Sequence, residues 1–510
     1  MNILVLISTY LQYYMPVWFY GFLNFASSSW VKFIGAIAVL LLARTIIVFC
    51  RSQRRWQRDR LISLEEVKTL SKGKLPFFSI LVPARNEAEV VSATAHILAE
   101  LNYPEDRLEI IIITDEKETL NAKEGEITTQ LAMVSVISSL KESHPNLRVI
   151  HMDVPYDFDG EFGGKRVGKE IKSTKGRALN WTLTEMRDHF EKETDFFAFF
   201  DTDDHPDKNC LLHIAKSNLL NPKNKAFQLP VYQCRNFWDV SAFSKVVCLS
   251  QSFTHENFLP WIMTWLPFLG GTNLFIEKNI LMEVKGFNYH SITEDLDLGV
   301  TIFLQTHVWP TFLPVPSSEQ TPPTMKTYYR QRKRWSLGQL EVMNNLKEMM
   351  RKKEGDLVVI KDLYRKLCFY GPIESTLFFF LTVFSFVIIV SRLVRGIVLL
   401  MTLQSLAVYF SPSFTIRETL YTMASIVGLP MVLFSMFLLF RYHKFIEKPK
   451  SNRFAFVELT KFMIIEGLFI PLVLFVYPLP FFMALVEHSL GVYKKKELVW
   501  VKTPRTKEGN

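Results

Sequence analysis

Apolar and polar positions sort this 510-residue chain into three blocks. Residues 3–25 and 31–50 are long apolar stretches separated by a polar break at Asn24–Trp30. Each is close to the ~20 residues a membrane-spanning helix needs. From 75 to 345, short apolar runs alternate with helical periodicity. Phe77–Val82, Leu108–Thr114 and Phe196–Phe200 are predicted as buried strands, ending at Pro83, Asp115 and Asp201. Strands separated by helical patterns predict a parallel doubly wound sheet, and such sheets bind ligands at the carboxyl ends of their strands. After a basic, amphipathic stretch reaching about Lys366, apolar runs return at 373–392, 396–411, 419–440 and 459–489.

Charge sharpens this division. The net charge is +9, and basic residues gather beside the apolar runs, at Arg51–Arg60, Arg441–Lys450 and Lys494–Lys496. That placement predicts contact with anionic lipid on the cytoplasmic side and no nucleic-acid partner. The expected organisation has two N-terminal transmembrane helices at 1–50 and a basic cytosolic linker at 51–74. A catalytic domain at 75–345 and an amphipathic interfacial segment at 346–372 follow. Three or four transmembrane helices at 373–490 and a cytosolic tail at 491–510 complete it. The protein is thus expected to be integral to the cell membrane, with its catalytic domain in the cytosol. The five cysteines form no CxxC or Cys/His cluster and are expected as free thiols, without a disulfide frame or a zinc site.

Four short polar motifs carry the candidate chemistry. Asp201-Thr-Asp203 follows a buried strand; two carboxylates one residue apart can hold a divalent ion against a diphosphate, or simply begin the turn through Asp204-His205-Pro206. Thr293-Glu294-Asp295 reads as a helix N-terminus capped by Thr293 or Ser291, where an acid is also well placed to act as a base. In Gln331-Arg-Lys-Arg334-Trp335, the first, fourth and fifth residues share one helix face. An arginine and an amide there suit a diphosphate and the indole suits a sugar ring, while Arg332 and Lys333 are expected to face lipid head groups or solvent. Lys175-Gly-Arg-Ala-Leu-Asn180 opens a helix and offers a lysine and backbone amides to phosphate, or is a flexible basic loop.

The ordered series resembles the family 2 membrane glycosyltransferases, which include cellulose, hyaluronan, chitin and related β-glycan synthases. Pro83-Ala-Arg-Asn86-Glu87, Asp115, Gly271-Thr-Asn273, Gly286-Phe287 and Gly338 extend the match over about 77–345. The resemblance implies a GT-A type, Rossmann-like α/β domain inserted between transmembrane helices. It implies nucleotide contacts from Glu87, Asp115, Lys175, Asp201, Gln331 and Arg334, and a Mg²⁺ or Mn²⁺ ion at Asp203 and Asp201. Asp295 becomes the general base, and Glu294 and Trp335 line the acceptor site. Trp500, Thr503 and Arg505 have the spacing of a gating loop that folds over the bound nucleotide, or belong to a polybasic tail on anionic lipid. The activity implied is inverting transfer from a nucleoside-diphosphate sugar, UDP favoured, to a growing β-linked polysaccharide, processive and coupled to export. The alternative is a non-processive transferase adding one or a few sugars to a lipid or lipid-linked acceptor.

Overall fold

The computed structural model describes residues 43–52, 62–377, 379–380, 383, 429–476 and 478–490. Among the described residues ten strands run in order: β1 (Phe78–Pro83), β2 (Leu108–Asp115), β3 (Arg148–Val154), β4 (Phe196–Phe199), β5 (His205–Pro206), β6 (Ala226–Gln228), β7 (Val231–Tyr232), β8 (Leu274–Glu277), β9 (Thr311–Phe312) and β10 (Ser317–Ser318). Seven form one sheet in the order β3-β2-β1-β4-β8-β6-β9, and β5-β10-β7 form a second.

Strand periodicity explains the central layer. Successive side chains of a strand point to opposite faces. Ile80, Val82, Ile110 and Ile112 pack on one side with Val91, Leu98 and Met133, whereas Leu81, Ile111 and Ile113 pack on the other with Leu179, Leu183 and Phe190. Both faces are covered by helices, so β1 and β2 read as near-continuous apolar runs. Truncating a side chain as buried as Ile111 to alanine costs about 2–5 kcal/mol.

The parallel doubly wound expectation holds for β3-β2-β1-β4, which pair in parallel. It does not hold beyond them. β8 runs antiparallel to both β4 and β6, and β9 is parallel to β6. A four-residue strand such as Leu274–Glu277 carries no sign of its direction in its sequence.

The C-terminal helices pack onto this domain. Leu438, Tyr442 and Phe462 join Tyr232, Cys234, Phe237 and Cys248 in one buried cluster. Buried ion pairs accompany it. Glu256 accepts from Arg441 Nε and from Tyr442 Oη, both at 2.6 Å, and Lys245 meets Glu458 at 2.6 Å.

That packing corrects the expected membrane integration. Among the described residues no helix is long and apolar enough to cross a membrane. Leu429–Tyr442 has 14 residues and Leu479–Ser489 has 11, against the ~20 needed to span. Asn452–Val476 is longer but carries Arg453, Glu458, Lys461 and Glu466. A domain inserted between transmembrane helices, and a chain integral to the cell membrane, are therefore not what the described residues form. The runs at 3–25 and 396–411, and most of 31–50 and 373–392, lie outside the described residues, as do Trp500, Thr503 and Arg505.

Candidate active site

Three neighbouring strands deliver the first residues. β2 pairs with β1 and β1 with β4, all parallel. Their carboxyl ends place Asp115, the Pro83–Glu87 turn and Asp201 along one edge. Asp115 is buried; one oxygen caps the backbone N–H of Lys117 at 3.0 Å and the other faces Arg177 Nη1 at 3.4 Å. Glu87 is buried as well, and its N–H donates to Thr129 Oγ1 at 2.8 Å.

Lys175 begins the helix Lys175–Glu185, whose N-cap Thr174 accepts from the Arg177 N–H at 3.1 Å. The motif at 175–180 is thus a capped helix start and not a flexible loop. Lys175 Nζ donates to Asp201 Oδ1 and, at 2.5 Å, to the Gly271 carbonyl. Burial works against its charge, yet Asp201 and then Glu294 hold the ammonium above its ordinary value. At physiological pH it is a fixed cation between carboxylates.

Asp201-Thr-Asp203 is both of the things its sequence allows. The turn exists, since the Asp204 N–H donates to the Asp201 carbonyl at 3.0 Å. Thr272 clamps it by accepting from the Asp201 N–H at 3.0 Å and donating to Asp204 Oδ2. Asp203 is fully buried; its Oδ2 accepts from the Gln320 N–H at 3.1 Å and its carbonyl accepts from Arg235 Nη1 at 2.7 Å. Asp201, with a third of its side chain exposed, is the more open of the two. Burial pushes the Asp204 carboxyl up to about 7, with Asp203 and Asp201 adding to the rise.

Thr293 is the N-cap of the helix Glu294–Thr306, but its side chain makes no cap bond. Asp295 accepts instead from the N–H of Leu296 at 2.8 Å. Gly271 brings the two halves together. A β-carbon on it would lie 3.1 Å from Asp295 Oδ2 and 3.3 Å from Lys175 Nζ. Burial raises the Asp295 carboxyl, with Lys175 and Arg334 opposing. Burial and then Asp295 push Glu294 up to about 7. Two adjacent acids at the start of one helix, facing one lysine, form a pair in which burial favours keeping a proton.

The helix Met325–Lys352 carries Gln331, Arg334 and Trp335, and Gly338 lets it approach Thr293, whose side chain a β-carbon there would strike. The charge of Arg334 is felt at both Glu294 and Asp295. Gln331 Oε1 is buried and has no hydrogen-bond partner among the described residues. Arg332 and Lys333 do not face solvent or lipid as expected. Arg332 Nη2 donates to Gln233 at 3.0 Å and its guanidinium sits 4.0 Å from the centre of the Trp335 ring. Lys333 pairs with Glu487 at 2.6 Å. Long cations beside polar partners bury their stems, which a linear basic run does not reveal.

Sequence reading also missed Arg177. It is fully buried inside the Lys175–Asn180 motif, donating to the Phe158 carbonyl at 3.0 Å and to the Pro155 carbonyl while facing Asp115. A guanidinium on the buried face of a helix start was the available signal. Gln233, Arg235 and Glu319 carried none, lying between two-residue strands without periodicity.

Hard carboxylate oxygens at Asp201 and Asp203 fit Mg²⁺ or Mn²⁺ as a partial ligand set. Among the described residues no three His, Cys, Asp or Glu groups gather to hold a metal ion. Such an ion would take its remaining ligands from phosphate and water.

Residues 196–442 match the family profile described as "Glycosyl transferase family group 2". A protein named as a probable glycosyltransferase, YdaM, from Bacillus subtilis is 24% identical over 321 residues, 61% of this chain and 67% of that protein. The β-monoglucosyldiacylglycerol synthase of Synechocystis is 25% identical over 268 residues, 52% of this chain and 48% of that one. The chain therefore spans about half to two thirds of the length of these relatives. A solved mannosyltransferase from Pyrobaculum calidifontis, in complex with GDP-Man and Mn²⁺, aligns with 15% identity and a TM-score of 0.39 over 86% of this chain and 98% of that one. Over residues 196–442, just under half of the chain, the similarity is thus to glycosyl transferase family group 2, and these relatives are named as a glycosyltransferase and a glycolipid synthase.

Proposed function

We propose that the protein transfers a sugar from a nucleoside-diphosphate sugar, with UDP as the favoured nucleotide, to a hydroxyl acceptor with inversion at the anomeric carbon. One observation carries this reading. Residues from four separate segments, Lys175, Asp201, Gly271 and the Glu294–Asp295 pair, meet around one point at the carboxyl edge of the sheet.

In this reading Asp115 and Glu87 bind the nucleoside end, and Lys175, Gln331 and Arg334 bind the diphosphate. Asp295 removes the proton of the acceptor hydroxyl as its oxygen bonds to the anomeric carbon. The bond from that carbon to the diphosphate oxygen breaks, and the leaving diphosphate takes the electron pair. Arg334 and Lys175 offset its charge. A divalent ion held by Asp201 and Asp203 would supply further charge neutralisation at the diphosphate. Glu294 and Trp335 line the acceptor side. A single base suffices, since nothing requires the second carboxylate of a retaining glycosidase.

For the acceptor, the Gln-x-x-Arg-Trp series supports chain extension of a β-linked glycan. The likeness to a β-monoglucosyldiacylglycerol synthase favours a second reading, the addition of one or a few sugars to a lipid acceptor. The test is release of free nucleotide from a panel of UDP- and GDP-sugars by purified protein with Mg²⁺ or Mn²⁺, followed by linkage analysis and sizing of product. Transfer to a hydroxyl acceptor is the expected result, with polymer or single-sugar product separating the two acceptor readings. Absence of transfer across the panel, with folded protein and added glycan and lipid acceptors, overturns the proposal.

A further inference from the structure

Side chains that belong to none of the motifs connect the two ends of the site. β7 and β10 pair in parallel, with Tyr232 opposite Ser318. The residues just beyond each strand therefore lie side by side. Gln233 and Glu319 are both buried, and Gln233 Nε2 donates to Glu319 Oε1. The other end of the Gln233 amide, Oε1, accepts from Arg332 Nη2 at 3.0 Å, and Arg332 stacks on Trp335 at 4.0 Å. The same two backbone segments grip Asp203. The Glu319 N–H donates to Tyr232 O at 3.0 Å and its carbonyl accepts from the Arg235 N–H at 3.2 Å, while Gln320 and Arg235 hold the Asp203 carboxylate and carbonyl.

An amide at 233 has a fixed direction. It must give a hydrogen to the carboxyl group and receive one from the guanidinium, which has no acceptor of its own. The row Glu319, Gln233, Arg332, Trp335 therefore has one satisfied arrangement, and removing a member leaves a buried polar group without its partner.

We infer that Gln233 and Glu319 are positioning residues that fix the Trp335 indole through Arg332, on the same two-strand platform that fixes Asp203. This deepens the proposed function and rests on its reading of Trp335 as an acceptor-binding group. The platform sets where a sugar ring can stack relative to the donor acids.

The test uses the full chain and two binding probes: octyl β-glucoside, followed by tryptophan fluorescence, and UDP with Mn²⁺, followed by calorimetry. Gln233→Leu and Glu319→Leu are expected to raise the Kd for octyl β-glucoside about tenfold while leaving the Kd for UDP within twofold. Glu319→Gln keeps an acceptor oxygen for Gln233 and is expected to restore the glucoside Kd to within twofold of the unaltered chain. Arg332→Met, at a half-buried position on the helix and on neither strand segment, gives the same glucoside loss if either leucine variant fails to fold, and combining it with Gln233→Leu adds nothing further. A rise in glucoside Kd for Trp335→Ala without one for Gln233→Leu, Glu319→Leu or Arg332→Met overturns the positioning role. So does a parallel loss of glucoside and UDP binding. An unchanged glucoside Kd for Trp335→Ala overturns instead the acceptor reading of that indole, and the inference with it.

Discussion

The two sides of the site are held by different forces. On the side proposed for the donor, Asp115 and Asp201 stand at the ends of strands buried on both faces, so the register of β2, β1 and β4 fixes them through backbone pairing. On the side proposed for the acceptor, Trp335 lies on a helix beside Arg332, whose guanidinium is held by Gln233 and, through it, Glu319, from two other segments. The donor side inherits its precision from the core, where many apolar contacts share the load. The acceptor side depends on a few buried polar pairs, each costly to break. Changes on the donor side are thus expected to alter chemistry in a stable protein, and changes on the acceptor side to alter packing and affinity together.

The largest expected effect falls where the two sides meet. Asp295→Asn keeps the size and the bond to the Leu296 N–H but removes the base. Loss of general-base catalysis is worth on the order of 10²–10⁴-fold in rate. Transfer is expected to fall by about 10³-fold, with UDP affinity and melting temperature unchanged. Near-normal transfer by this variant removes Asp295 from the mechanism.

Two glycines then set the sides against each other. Gly271→Ala brings a methyl group to 3.1 Å from Asp295 Oδ2 and 3.3 Å from Lys175 Nζ. Small displacements of reacting groups cost about 10²-fold, so the rate is expected to fall by about that much at constant stability. Gly338→Ala drives a methyl group into the Thr293 side chain, between a helix and a helix start. Overpacking costs about 1–3 kcal/mol, and thermal unfolding should show it. If both variants lose stability equally, the division between the sides is wrong.

Proton occupancy gives a third measurement. Glu294 is pushed up to about 7 and Asp295 is raised, chiefly by burial. A base works only when unprotonated, so kcat/KM is expected to show an acid limb lying above the ordinary carboxylate range, falling about tenfold per unit below it. Glu294→Gln removes one negative charge beside Asp295 and should move the limb to lower pH. A limb that stays in place shows that Asp295 titrates independently of its neighbour.

The same contrast governs what could be read from the sequence. The strands at Phe77, Leu108 and Phe196 were legible because a buried strand is a short apolar run, and its end is where the polar cluster begins. The parallel half of the sheet followed from the helices between those strands. The antiparallel β8 did not, because four residues carry no direction. Lys175, Asp201 and Asp295 were legible as motifs, and the fold brings them together. Lys333 and Arg332 were misread because a basic run looks the same whether its partners are solvent or a distant Glu487 and Gln233. The transmembrane expectation failed at Leu429–Tyr442 for a related reason: an apolar stretch gives no sign that part of its surface will pack on Tyr232 and Phe237 and its end pair with Glu256. Long-range polar pairs between two-residue strands leave no periodicity, and the platform under Trp335 is built from them.

The smallest effect tests that platform most gently. Arg332→Lys keeps the charge but loses the planar group that stacks on Trp335, and it exchanges the fixed fork at Gln233 for a flexible ammonium. A stacked cation contributes about 0.5–1 kcal/mol at such sites, which corresponds to a two- to fivefold change. The KM for acceptor is expected to rise by that factor while the KM for donor stays constant. Lys333→Arg, one residue along the same helix, keeps its charge opposite Glu487 and does not touch Trp335, so both constants should stay where they are. A matching rise for the two variants would mean that the charge of the helix, and not the geometry of one guanidinium, steadies the acceptor side.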